Sequence, residues 1–102
     1  MFVEVKFATD SLEKARKIGD ILIDKKLVAC VQIFPIESHY FWKKERCETN
    51  EFMVTMKTKR RLFNIVEKVI KENHSYEVAE IIAVPIAKGS REFFKWIEDS
   101  TI

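Results

Sequence analysis

Hydrophobic and polar positions alternate at the start of the chain. Val3, Val5 and Phe7 fall on one side of an extended segment, and Glu4 and Lys6 fall on the other. This period of two predicts a half-buried strand over residues 2–9. Asp10, followed by Glu13, has the spacing of a helix N-terminus. The period then lengthens: Leu12, Ala15, Ile18, Ile21, Leu22 and Leu27 form one stripe, which predicts a helix from Ser11 to Lys26. Gly19 lies inside that stripe, where glycine weakens a helix unless something packs closely against it.

From Leu27 to Pro35 the chain is almost continuously apolar and rich in β-branched residues. Such a run reads as a strand buried on both faces, with Pro35 marking a bulge, a bend or an edge. Strand character resumes from Ile36 to Trp42, pauses at the polar turn Lys43-Lys44-Glu45-Arg46, and returns from Cys47 to Thr58. The two arms form a hairpin longer than the usual five or six residues per strand, so its end is expected to pack on something outside one small domain. Thr58 is placed to cap a second helix over Lys59–Asn73, with Leu62, Val66, Val69 and Ile70 on one face. Val78–Ile86 reads as a further strand interrupted by Pro85, and Gly89-Ser90 opens a C-terminal helix carrying Phe93, Phe94, Trp96 and Ile97. The order β-α-β-β-α-β plus a tail helix predicts an α+β fold, a split-βαβ sandwich with both main helices on one face of an antiparallel sheet. A single domain spans 1–102, with no repeat or linker.

Composition narrows the functional classes. The chain has 102 residues, of which 47% are hydrophobic, enough for a packed core. Two glycines rule out a P-loop or a dinucleotide fingerprint. A formal net charge of +2 lacks the cationic footprint of a dedicated nucleic-acid binder. No apolar run is long enough to span a bilayer, and the N-terminus lacks the apolar stretch of a signal peptide. The expectation is a cytoplasmic protein with no nucleic-acid or membrane partner, whose two cysteines are free thiols.

Few residues carry chemistry. His39 and His74 are the only histidines, and no Cys-x-x-Cys or His-x-x-x-His spacing exists. Any metal site must be assembled from separated segments. Cys30, within an apolar run, reads as a small buried hydrophobe, and Cys47, in the charged hairpin, as an exposed thiol. His74 has two readings. It suits a helix C-terminus, and with Glu80 it offers an imidazole and a carboxylate to a metal. The basic run Lys57-Thr58-Lys59-Arg60-Arg61 reads as a solvated surface or a phosphate contact. Tyr40, Phe41 and Trp42 read as aromatics buried against a neighbouring subunit. No nucleophile motif is present, so the chain is expected not to be an enzyme.

Five segments in order carry a resemblance that covers nearly the whole chain. They are Leu27-Val-Ala-Cys30-Val-Gln-Ile33, Ser38-x-Tyr40-x-Trp42, Glu51 to Lys57-Thr58, His74-x-Tyr76-Glu77-x-x-Glu80-Ile81, and Trp96. Together they resemble the CutA family of divalent-cation tolerance proteins. Departures from the family pattern are Lys44 for a glycine, Ser75 and Ala79 for two prolines, Asp10 for a proline, and Phe93 for a tyrosine. Phe7 stands near where some members carry a metal-binding cysteine.

The resemblance implies a ferredoxin-like fold in a homotrimer, with the long hairpins around a three-fold axis. It implies binding of divalent metal ions, copper among them, and a role in metal tolerance, with no obligatory cofactor. On this reading His74 and Glu80 are metal ligands. Lys57, Tyr76 and Trp96 join them around a cleft near a subunit boundary. A PII-like trimeric regulatory module, taking a small ligand or protein in intersubunit clefts, is the alternative.

Overall fold

A computed structural model describes residues 1–102. Four strands, β1 (Phe2–Thr9), β2 (Cys30–Trp42), β3 (Glu45–Lys59) and β4 (Ile81–Pro85), form one antiparallel sheet in the order β2-β3-β1-β4. Helices α1 (Leu12–Asp24) and α2 (Phe63–Asn73) connect them, and α3 (Arg91–Ser100) follows. This is the expected ferredoxin-like α+β arrangement.

The core lies between the sheet and the two crossover helices. Val3, Val5 and Phe7 of β1 meet Ala15, Ile18 and Leu22 of α1 and Val66, Val69 and Ile70 of α2 in one buried cluster. Cross-strand pairs Val5↔Met56 and Phe7↔Val54 extend the same apolar layer into β3. Gly19 has the close neighbour that its position demands. A Cβ added there would lie 2.9 Å from Cγ1 of Val31, a stiff β-branched side chain on β2. Gly19→Ala is therefore expected to destabilise the fold by about 1 kcal/mol despite alanine's better helix propensity. Thermal unfolding checks this, and Val31→Ala added to the variant should recover part of the loss.

Several local expectations are corrected by the structure. The cap of α1 is Ser11, not Asp10: the Ser11 hydroxyl accepts from the Lys14 N–H at 3.2 Å. Helix α1 stops at Asp24, because Lys26 takes a left-handed φ of 56° and the Leu27 N–H turns back to the Leu22 carbonyl at 3.0 Å. Thr58 caps nothing. It is buried within β3 and donates to the Leu27 carbonyl at 2.6 Å. A short 3-10 turn, Arg60–Leu62, then leads into α2. Strand β2 is an edge strand rather than one buried on both faces, with Phe34 and Pro35 exposed. Cys30 is accordingly half-buried, and so is Cys47, whose thiol lies 3.7 Å from the Glu45 carbonyl.

Beyond the sheet, β2 and β3 continue alone. Seven pairs, from Ile36↔Glu51 to Trp42↔Glu45, have no third strand beside them. At about 3.4 Å per residue this two-stranded ribbon projects roughly 20 Å. It stretches the molecule to 44 × 26 × 21 Å. Its turn has two residues, not the four expected: Lys43 and Lys44 sit at φ of 50° and 68°, the backbone of a primed hairpin turn that favours glycine and asparagine. Lys44→Gly is expected to stabilise the protein by about 1 kcal/mol by relieving the left-handed lysine. Chemical denaturation of the variant beside the wild type checks this.

Candidate functional site

The segment from His74 to Glu80 leaves α2 and crosses the end of β1 before β4 begins. That crossing explains why β4 starts at Ile81 and not at Val78. His74 fastens the segment with both ring nitrogens. Nε2 lies 2.6 Å from the Ala8 carbonyl, and Nδ1 accepts from the Tyr76 N–H at 3.1 Å. Since a carbonyl only accepts, Nε2 carries the proton, and the tautomer is fixed. The ring also meets Phe7 and Tyr76 edge-on.

Tyr76 reaches from this segment to β3. Its hydroxyl donates to the Glu51 carboxylate at 2.6 Å, and Glu51 is only 6% exposed. Burial, then the hydrogen bond to Glu51 and that residue's negative charge, hold the Tyr76 phenol well above its ordinary range. A second link, Lys43 Nζ to Glu77 at 3.7 Å, ties the segment to the ribbon tip.

Between the segment and the ribbon lies a cleft of about 800 Å³. Glu37, His39 and Tyr40 of the ribbon face Glu51, Glu77 and Glu80 across it, with Tyr76 also in the wall. Four carboxylates and one imidazole around one cavity make a site suited to cations. Of the five residues expected to share a cleft, the structure brings Tyr76 and Glu80 together in this wall. His74 lies beneath it, engaged with backbone groups. Lys57 is elsewhere, bonded to Gln32 at 2.7 Å and to Glu4 at 3.3 Å. Trp96 lies on α3, stacked on Phe93 at 5.6 Å. One chain by itself therefore does not complete the five-residue cleft.

The rest of the basic run is structural rather than a phosphate contact. Lys59 is buried; its Nζ bonds the Thr101 and Ile102 carbonyls at 3.2 and 2.9 Å and pairs with Glu98 at 3.1 Å. Arg61 donates to the same Ile102 carbonyl at 2.5 Å. These bonds dock α3 against the sheet edge, a role with no signal in the local sequence.

The sequence reading also missed a cluster on the ribbon. Glu37, His39 and Glu48 each offer one ligand atom, all within 4.8 Å of one another. His39 Nε2 lies 2.6 Å from Glu37, and Nδ1 lies 3.5 Å from Glu48. The register places His39 opposite Glu48, with Glu37 two residues back on the same face. At the tip, Phe41 is 76% exposed, and Tyr40 and Trp42 beside it are exposed as well.

Comparison with known proteins agrees with this architecture. A family model described as CutA1 divalent ion tolerance protein matches residues 3–100. The divalent-cation tolerance protein CutA of Archaeoglobus fulgidus is 41% identical over 90 residues, covering 88% of each chain. Its counterpart from Thermus thermophilus is 38% identical over 98 residues, covering 95% of each. Among solved structures, the Archaeoglobus fulgidus protein, described there as periplasmic, superposes with a TM-score of 0.95 at 38% identity over 98% of both chains. The Thermus thermophilus structure also gives 0.95, at 37% identity over 99% of both.

Proposed function

The chain belongs to the CutA1 family of divalent ion tolerance proteins, and from that premise we propose that it binds divalent cations, copper among them, as a homotrimer in the cytoplasm. The observation that carries the reading is the acidic cleft, where Glu37, Glu51, Glu77 and Glu80 surround one cavity with His39 at its rim. Imidazole and carboxylate are donors suited to Cu²⁺, which tops the divalent affinity order for such sites. The donor set present therefore fits the metal that the family implies. His74 would have to release the Ala8 carbonyl or the Tyr76 N–H to coordinate, whereas Glu80 and His39 need no such exchange with backbone. The role is binding without a chemical step.

Support for the trimer comes from the ribbon. A two-stranded hairpin is marginal alone in water, and this one ends in three exposed aromatics. A neighbouring chain that covers the ribbon would also bring further residues to the cleft. Two free cysteines suit a reducing compartment. No helix is long and apolar enough to cross a membrane.

Equilibrium dialysis against Cu²⁺, with sedimentation of the same sample, tests the proposal. Saturable binding to a species three times the chain mass is expected. Absence of saturable metal binding, with uptake of a small organic anion instead, would favour a PII-like regulatory module.

A further inference from the structure

Resting on the divalent-cation reading, we propose a specific metal site on the ribbon. The His39 imidazole and the Glu48 carboxylate hold the metal, Glu37 orients the imidazole, and Arg46 is a resident cation that the metal displaces.

The ring nitrogens can be assigned from their neighbours. Glu37 is an acceptor, so the 2.6 Å contact places the proton of the neutral ring on Nε2. Nδ1 then carries a lone pair. Consistent with that, the group approaching Nδ1 is a donor, Nη2 of Arg46 at 3.4 Å. Glu48 lies on the same side, one carboxylate oxygen 3.5 Å from Nδ1 and the other paired with Nη1 of Arg46. A lone pair and a carboxylate thus converge on a position that a cationic side chain already fills. This placement shows that the position attracts positive charge, independently of the spacing of the ligand atoms.

The spacing also fits. Bonds of about 2.1 Å place two adjacent ligands of one ion roughly 3.0–3.4 Å apart. The 3.5 Å between Nδ1 and the Glu48 oxygen requires only a small rotamer adjustment of exposed side chains. A carboxylate that accepts from the second nitrogen of a metal-bound histidine fixes the ring and raises its basicity, and Glu37 stands in that position. One nitrogen donor beside oxygen donors selects copper or zinc over magnesium or calcium. Two protein ligands leave the remaining positions to water, so binding is weak. Arg46 weakens it further, because its guanidinium competes for the same two groups.

Copper titration by calorimetry and electron paramagnetic resonance, in a non-coordinating buffer, tests the site. His39→Ala is expected to weaken binding more than about 30-fold and to abolish the nitrogen hyperfine structure of the bound Cu²⁺. Glu37→Gln is expected to weaken it about 10-fold, the usual cost of losing an orienting partner. Arg46→Ala is expected to tighten it several-fold, a gain that misfolding cannot mimic. Binding unchanged in His39→Ala but lost in His74→Ala would overturn the ribbon site and leave the divalent-cation reading standing. Arg46→Ala binding no tighter than the wild type would overturn the displacement. A wild type that binds no copper would remove the divalent-cation reading, and this proposal with it.

Discussion

Replacing Trp42 with Glu dissociates the assembly at micromolar concentration. Trp42 ends the seven-pair ribbon, where it is 39% exposed in the single chain and lies under the Lys43 ammonium at 5.7 Å. In a trimer whose ribbons pack on neighbouring chains, that surface is covered. A carboxylate placed there must be desolvated without a partner, which costs several kcal/mol at each contact. Each contact recurs three times around the axis, so the penalty is large compared with the stability of an ordinary assembly. The core residues lie elsewhere, between the sheet and the helices, so the chain itself stays folded. Sedimentation velocity reads the outcome directly: the wild type runs as a trimer and the variant as a monomer. A variant that still runs as a trimer would show that the ribbon tip is not the contact.

The second large effect is at Tyr76. Tyr76→Phe removes only the hydroxyl, but that hydroxyl is the donor 2.6 Å from the buried Glu51 carboxylate. Leaving a buried charged acceptor without its donor costs about 2–3 kcal/mol. In a domain of this length that lowers the melting temperature by roughly 10 °C or more. The loss has a pH signature whose sign follows from the raised phenol. Burial and the Glu51 carboxylate favour the neutral hydroxyl in the folded state. Its contribution is therefore complete below the unfolded tyrosine value of about 10 and is lost as pH rises beyond it toward the folded value. The stability gap between wild type and Tyr76→Phe should stay constant from pH 7 to 9 and narrow above pH 10. Thermal unfolding across that range checks both the size and the trend. A gap that widens in alkali would mean that the hydroxyl is not what stabilises the Glu51 side of the cleft.

Long-period features were legible in the sequence, and short-range alternatives were not. The alternation at Val3, Val5 and Phe7 gave β1 its full extent, because one face of the strand is buried and the other carries charge. The length of the hairpin was equally plain. Capping was not: Asp10, Ser11 and Thr58 offer the same oxygen chemistry, and only the three-dimensional entry angle selects Ser11. The turn mattered most. A four-residue turn over Lys43–Arg46 pairs Trp42 with Cys47 and sets His39 opposite Asn50. The observed two-residue turn pairs Trp42 with Glu45 and sets His39 opposite Glu48. Two lysines in left-handed conformations gave no sequence signal for that turn, so the imidazole–carboxylate pairing was hidden with it. His74 was singled out correctly as unusual, but its two hydrogen bonds reach residues 66 and 2 positions away, and only folding reveals the first.

The measurement that tests the central claim most directly is the location of copper in crystals of the metal-loaded protein, by anomalous scattering at the copper edge. The strongest peak is expected on the ribbon, within about 2.0–2.2 Å of His39 Nδ1 and a Glu48 oxygen, with the Arg46 guanidinium turned away. A strongest peak beside His74, or no peak on the ribbon at all, would contradict it.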